Sequence, residues 1–409
     1  MLDEILLEPK YERLTLRLFL VLQKFSNEQQ ASFWKPYIDI LPSLDEVRQQ
    51  HVLFLVHDMD GLDGTNLNRA ANAKLSALTQ EWTMMKELVK WMTLEMWIWA
   101  DIIFWSRVVS VGSSSSDMDD GDNDKNKGDL TLIPFFDFAN HSSCPSIRWC
   151  PAKKEGGGID FVANPTYEKS LAGNELFISY GDKSNQELLF LHGFTLENNT
   201  KSSRITEPLT GFMNMSLEEN QFKLSWITQF SAPVLTLMAS STTDDDDNKN
   251  KTDKVENDIT LRTGWTPESV ALMYLVALSQ EDGLGFEIIP DISQLNISSN
   301  MIIQLSLGDQ VVEDLDDLSL KVAKLDNSAV IQLRVVILLL DALEYHLQMI
   351  TSSLSNDSKH SDIMVHVERY KQDEKRLIQK SVDDLTLLKD ELMTHDSVIS
   401  FIAAHEEES

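Results

Sequence analysis

The chain of 409 residues holds two cysteines, Cys144 and Cys150. Two thiols cannot build a disulfide scaffold or a four-ligand zinc site, and their spacing is not that of metal ligands. They read as reduced thiols in an intracellular setting. Basic residues are also scarce. Lys and Arg number 35 against 65 Asp and Glu, a net charge of −30. Binding to nucleic-acid phosphate needs clustered cations, so DNA and RNA are excluded as main partners. Such a charge suits a basic protein or peptide drawn in by long-range steering, or serves solubility through acidic loops.

Long apolar runs are missing too. The most apolar stretch, from Met96 to Trp105, is interrupted by Asp101 and bordered by Glu95 and Arg107. It is too short and too charged to span a bilayer and reads as a buried, Trp-rich helix. The start, Met1-Leu2-Asp3-Glu4, lacks the basic and apolar regions of a secretory or transit leader. Without a leader the sequons at Asn198, Asn214, Asn296 and Asn356 carry no meaning. The expectation is an intracellular protein, with cytoplasm, nucleus and plastid all open.

Apolar periodicity divides what is present. Leu14, Leu18, Val21, Leu22 and Phe25 keep helical spacing, as do Leu75, Leu78, Trp82, Met85, Leu88, Val89 and Met92. These predict a helical region over 1–111, with Trp82, Trp91, Trp97, Trp99 and Trp105 in its core. Residues 112–129 are Ser- and Asp-rich without periodicity and predict a disordered acidic loop. Short strands are predicted at Leu130 to Phe136, Ile159 to Ala163 and Leu176 to Tyr180 within a β-rich core over 130–200. A helix start follows, because Ser184 and Glu187 form a capping-box pattern and Gly193 supplies the stop. Residues 201–240 connect to a second acidic loop over 241–258. From Thr266 onward the pattern reads as helical, giving an all-α domain over 259–409 with Ile331 to Ile350 as its central buried helix. The expected class is α+β: a small β-rich core with a helical insertion, followed by an all-helical domain.

Three fragments carry the chemistry. They are Asp137-Phe138-Ala139-Asn140-His141-Ser142, then Ile178-Ser179-Tyr180-Gly181, then His192-Gly193-Phe194. His141 and Tyr180 lie 39 positions apart (180 minus 141). The run Leu132 to Ser142, with Pro134, Asp137, Asn140 and His141, resembles the Pro-x-x-Asp-x-x-Asn-His segment of SET proteins in the Rubisco large-subunit and actin-histidine methyltransferase group. Gly173 to Gly181 resembles that group's Gly-Glu…Tyr-Gly segment. Lys183-Ser184-Asn185 through Leu188-Leu189 to Gly193-Phe194 resembles its Lys-Ser-Asn…Gly-Phe helix. The C-terminal helices, with Leu333-Arg334 and Lys375-Arg376, are similar to its substrate-binding domain.

The resemblance implies a protein-lysine N-methyltransferase that uses S-adenosylmethionine, has no metal and acts as a monomer. Its substrate would be a protein or peptide, with no nucleic-acid or membrane partner. It implies Tyr180 as the catalytic phenol. Asn140 and His141 would bind the donor, Phe194 would pack on it, Asp137 would belong to the same pocket, and Arg107 would pair with the donor carboxylate. Helix C-capping is the other reading of Arg107. The group often has Ser or Tyr where this chain has His192. Its members begin with a further β-unit bearing a Gly-rich turn, whereas in the first 70 residues the only glycine pair is Gly61 and Gly64. The expectation is therefore a SET core lacking its N-terminal part. Two alternatives stay open, a truncated non-catalytic binding module and a protein-histidine methyltransferase.

Overall fold

The computed structural model describes residues 12–26, 32–57, 60–111, 129–152, 158–164, 173–199, 204–239, 259–290, 301–352 and 361–406. The acidic loops expected at 112–129 and 241–258 lie outside these residues except for Asp129, as do Asn296 and Asn356. Two compact units are formed. The first comprises 1–62, 67–201 and 355–370; the second comprises 63–66, 202–354 and 371–409.

The first unit opens with helices α1 (Glu12–Phe25), α2 (Lys35–Ile40), α3 (Leu44–Gln50), α4 (Val52–Leu55), α5 (Asn66–Met85) and α6 (Leu94–Arg107). α6 is the apolar run of the sequence. Thr93 caps it by accepting the Met96 N–H at 3.3 Å, and its stretch from Trp97 to Phe104 is buried. Asp101 does not weaken this core, because Arg17 at 2.6 Å and Lys74 at 3.0 Å neutralise it there. Burial pushes the Asp101 carboxyl up in pKa, against the pull of Lys74 and Arg17. Of the predicted core tryptophans, Trp97 and Trp99 are fully buried, Trp82 and Trp105 half-buried, and Trp91 exposed.

The helix expected through Met92 ends instead at Met85. The Trp82 indole N–H donates to the Met92 carbonyl at 3.1 Å, which folds the following turn back before Thr93 starts α6. Met92 is still buried, so its periodicity reported burial rather than helix.

The β-core consists of short ribbons. β1 (Val108–Val111) pairs antiparallel with β2 (Asp129–Leu132), and β4 (Ile147–Pro151) with β5 (Ile159–Ala163). β3 (Asn140–His141) pairs in parallel with β6 (Phe177–Ile178). The strand predicted to Phe136 stops at Leu132. Pro134 cannot donate to a ladder, and Phe135, at φ 74°, turns the chain into a 3₁₀ turn over Phe136–Phe138. Helix α7 (Asn185–His192) has both ends where they were predicted. Ser184 and Glu187 exchange bonds at 3.2 and 3.0 Å, and Gly193 closes the helix at φ 78°, a conformation that costs other residues about 1 kcal/mol.

The second unit has β7 (Arg204–Pro208), α8 (Glu218–Ile227), β8 (Val234–Met238), α9 (Ile259–Thr263) and α10 (Pro267–Ala277). Then come β9 (Leu284–Pro290), β10 (Met301–Leu307), β11 (Gln310–Val312), α11 (Leu315–Val322), α12 (Ser328–Ser352), α13 (Ser361–Met393) and α14 (Asp396–Glu406). Its core gathers α10, α12 and α13 with the antiparallel β7–β8 pair. The chain after Thr266 is thus mostly but not wholly helical, since an antiparallel sheet β11–β10–β9 is set within it. The sheet forms because Leu305 and Leu307 alternate with Gln304 and Ser306, putting one face of β10 into the core. Gly64 belongs to this unit. A Cβ there would lie 2.8 Å from the Met349 backbone, and φ is 76°, so only glycine fits.

Candidate active site

Pairing of β3 with β6 is what joins residues 39 positions apart. Asn140 lies opposite Phe177 and His141 opposite Ile178. The chain beyond Ile178 then runs past the imidazole: the Tyr180 N–H donates to His141 Nδ1 at 3.0 Å, and the two rings stack at 5.1 Å. The Tyr180 hydroxyl donates to the Ala139 carbonyl at 2.9 Å. His192, the last residue of α7, packs its ring 4.7 Å from Tyr180 on the same cluster. The phenol ring therefore has two imidazoles as neighbours.

Beside it opens a cavity of about 580 Å³. Its apolar wall includes Val109, Leu130, Phe136, Trp149, Ile178 and Leu191, and its polar wall Arg107, Asp137, Tyr180, Lys183 and His192. At the polar wall, Asp137 Oδ2 receives Arg107 Nη1 at 2.9 Å and the Tyr37 hydroxyl at 2.7 Å. Arg107 also donates to the Asp137 carbonyl at 3.2 Å. Among the described residues the other carboxylate oxygen, Oδ1, is buried without a hydrogen-bond partner. An orphaned buried acceptor is costly.

Burial favours the neutral forms of the site's phenols and imidazoles. It raises the Tyr180 pKa, with Arg107 opposing and Asp137 reinforcing. It lowers His141, and lowers His192 to about 4, each with help from the Lys183 charge. Burial and the hydrogen bond to Asp137 both raise Tyr37. At neutral pH the centre is a neutral phenol between two neutral imidazoles, with one ion pair alongside.

Of the six residues singled out in the sequence, Tyr180, Arg107 and Asp137 line the cavity. His141 stands behind Tyr180, and Phe194 packs 6.2 Å from His141 and 6.1 Å from His192. Neither His141 nor Phe194 is among the wall residues. Asn140 is exposed and donates to Glu175 at 2.6 Å, away from that wall. Sequence reasoning missed Tyr37, which sits 100 residues before the carboxylate it holds and carries no local signal. It also gave no role to Lys183.

The fold and the site define a class: a SET-type β-core carrying a Tyr-centred cavity, continued by a largely helical unit. Solved structures place it more narrowly. The SET domain of LSMT bound to MeLysine and AdoHcy superposes with a TM-score of 0.57 at 17% identity, over 94% of this chain and 76% of that one. Rubisco LSMT bound to AdoMet gives 0.56 at 17% identity, over 95% and 78%. The fold is therefore that of the Rubisco LSMT proteins, as the motif resemblance implied. A scan against models of known protein families matches none.

Among curated proteins, the ribosomal lysine N-methyltransferase set10 of Schizosaccharomyces pombe is 28% identical over 201 residues, 47% of this chain and 34% of that protein. An actin-histidine N-methyltransferase of Drosophila melanogaster is 27% identical over 219 residues, 46% and 37% of the two chains. Ribosomal lysine N-methyltransferase 1 of Saccharomyces cerevisiae is 21% identical over 267 residues, 53% and 43%. The chain spans well under half the length of these relatives.

Proposed function

We propose that the chain is an S-adenosylmethionine-dependent protein-lysine N-methyltransferase. The observation that carries this reading is the Tyr180 phenol on the wall of a cavity that also holds the Arg107–Asp137 pair. The residues present fit such a donor. The apolar walls suit an adenosyl group, and the Arg107–Asp137 pair suits a charged amino-acid end. When bound, the donor supplies a methyl group activated by a sulfonium.

The chain's own residues do the rest. Apolar walls from Val109 to Trp149 disfavour an ammonium, lowering the cost of the neutral amine that must attack; free lysine has a pKa of about 10.4. The Tyr180 oxygen and the Ala139 carbonyl lie side by side as fixed dipoles that orient an amine N–H. His141 and His192 wedge the phenol ring in place. The two neutral imidazoles add no charge to repel a cation.

Lysine as the acceptor follows the names of the yeast relatives and the lysine ligands of the solved structures. The actin-histidine relatives favour histidine as a second reading. The acceptor protein would carry a basic segment, since a net charge of −30 steers cations inward; its KM should rise with salt. Cys144 and Cys150 are free and exposed, which suits a reducing intracellular compartment.

The test is calorimetric titration of the chain with S-adenosylmethionine, followed by mass spectrometry of candidate acceptor proteins. Donor binding with a gain of one methyl mass on lysine is expected. Tyr180→Phe should reduce turnover at least about a hundredfold while donor affinity changes little. Absence of donor heat would favour a non-catalytic binding module, and methyl mass on histidine would favour the second reading.

A further inference from the structure

We propose that Lys183 keeps the acceptor amine neutral: its ammonium, on the cavity wall with Tyr180, makes a second cation costly where the methyl group is transferred. The inference rests on reading the cavity as the methyl-transfer site, and it leaves the donor's amino-acid end to Arg107.

Tyr180 and Lys183 line the same cavity, and the turn between them passes through Gly181 at φ 95°. The backbone at 183 is held. Its carbonyl accepts from Asn199 Nδ2 at 2.9 Å, and Ser184, the next residue, caps α7. Among the described residues the Lys183 ammonium makes no hydrogen bond or ion pair, although the residue is half-buried. Stability does not account for such a cation. It stands just before the N-terminus of α7, where the helix dipole favours an acid. Partial burial without a counter-ion adds a desolvation cost.

The groups around it are otherwise balanced or neutral. Arg107, at the end of α6, is answered by Asp137 of the 3₁₀ turn at 2.9 Å. Burial favours the neutral forms of Tyr37 on α2, Tyr180, His141 on β3 and His192 on α7. The Glu187 carboxylate on α7 accepts from the Ser184 N–H and hydroxyl at 3.0 and 3.1 Å. Asp182 is exposed to water. Of the three charged residues on the cavity wall, Lys183 alone is uncompensated.

That charge already acts on the bases of the site, since it disfavours protonation of both imidazoles packed on Tyr180. An amine directed at the Tyr180 oxygen and the Ala139 carbonyl would stand in the same field. Free lysine, with a pKa of about 10.4, is an ammonium at neutral pH and has no lone pair for attack. The net charge of −30 draws basic acceptors in but also favours their ammonium form. A local cation reverses that bias where the neutral form is required. Lys183 neither takes nor gives the proton. The amine loses it to water, and its lone pair then forms the N–C bond as the S–C bond breaks and leaves its electrons on sulfur.

The experiment has two arms, both on the full chain. In the first, NMR follows the titration of His141 and His192 without ligand. Lys183→Met should raise both and Lys183→Arg neither. Lys90→Met, at an exposed lysine paired with Glu87, removes the same unit of charge and should raise neither. In the second, the chain saturated with S-adenosylhomocysteine is titrated at pH 7 with Nα-acetyl-lysine amide and with its uncharged isostere, Nα-acetyl-norleucine amide. Lys183→Met should bind the lysine probe about tenfold more tightly, the effect of one pKa unit, and the norleucine probe as wild type does. Single-turnover methylation of any lysine acceptor should nevertheless slow in Lys183→Met, with the deficit shrinking as pH rises from 7 to 10. A residue that merely held the fold would not give tighter binding with slower transfer.

If both imidazoles titrate in Lys183→Met as in wild type, or if the two probes change together, the assignment fails while the methyl-transfer reading stands. If wild type does not bind S-adenosylhomocysteine, that reading falls and this assignment with it.

Discussion

At the residue scale, the centre of this site is a carboxylate that gathers its neighbours. Asp137 takes Tyr37 from α2 and Arg107 from the end of α6, both on one oxygen. Removing either donor leaves a buried charge less satisfied, which costs more than the bond itself contributes. Tyr37→Phe deletes only a hydroxyl, on a ring that is buried. It should destabilise the chain by about 1–3 kcal/mol, read as a shift of the urea midpoint without a change in slope. A midpoint equal to wild type would mean that water replaces Tyr37 at no cost. Motif spacing singled out Asp137, Tyr180 and Arg107, and all three line the cavity. It could not reveal Tyr37, because a hydrogen bond across 100 positions leaves no local pattern. Asn140 is also named by motif, but its side chain engages Glu175 and it is not among the wall residues.

At the scale of elements, legibility follows how local the determining physics is. Both ends of α7 were readable, since a capping box and a positive-φ glycine act within a few residues. The sheet within the second unit was missed, although Leu305, Leu307 and the Gly308-Asp309 turn before β11 do carry hairpin alternation. The adjacent helical run from Ile331 outweighed that signal. The α7 cap matters for the site because the helix carries Leu191 and His192 at one end and follows Lys183 at the other. Ser184→Ala removes one reciprocal bond and weakens its partner. A loss of about 0.5–2 kcal/mol is expected in thermal or urea unfolding, with Ser184→Asp recovering most of it. If Ser184→Ala melts with wild type, the box seen at Ser184 contributes nothing net.

At the scale of the whole molecule, the excess of acid raises a question of where carboxylates can be tolerated inside. The second unit answers with one buried cation shared between two of them. His346 on α12 lies 2.8 Å from Glu207 of β7 and 3.0 Å from Glu374 of α13, all nearly shielded from water. The Asn66 N–H adds a donor to Glu374 at 2.8 Å. Burial alone would lower the imidazole pKa, but hydrogen bonds and charge from Glu207 and Glu374 outweigh it and raise it to about 9. A pKa raised in the folded state means that the fold holds this proton more tightly than the open chain does. The contribution is therefore complete below the unfolded value of 6.5 and is lost as pH climbs to about 9. Above that, two carboxylates would face each other around a neutral ring. A shift of this size corresponds to about 3 kcal/mol. Native-state hydrogen exchange of α12 and β7 amides, corrected for intrinsic rates, should show the opening free energy falling over this window. His346→Gln, neutral at every pH, should start lower and stay flat there. A wild-type profile as flat as that of His346→Gln would mean that the imidazole is already neutral in the fold and that the two glutamates share a proton instead.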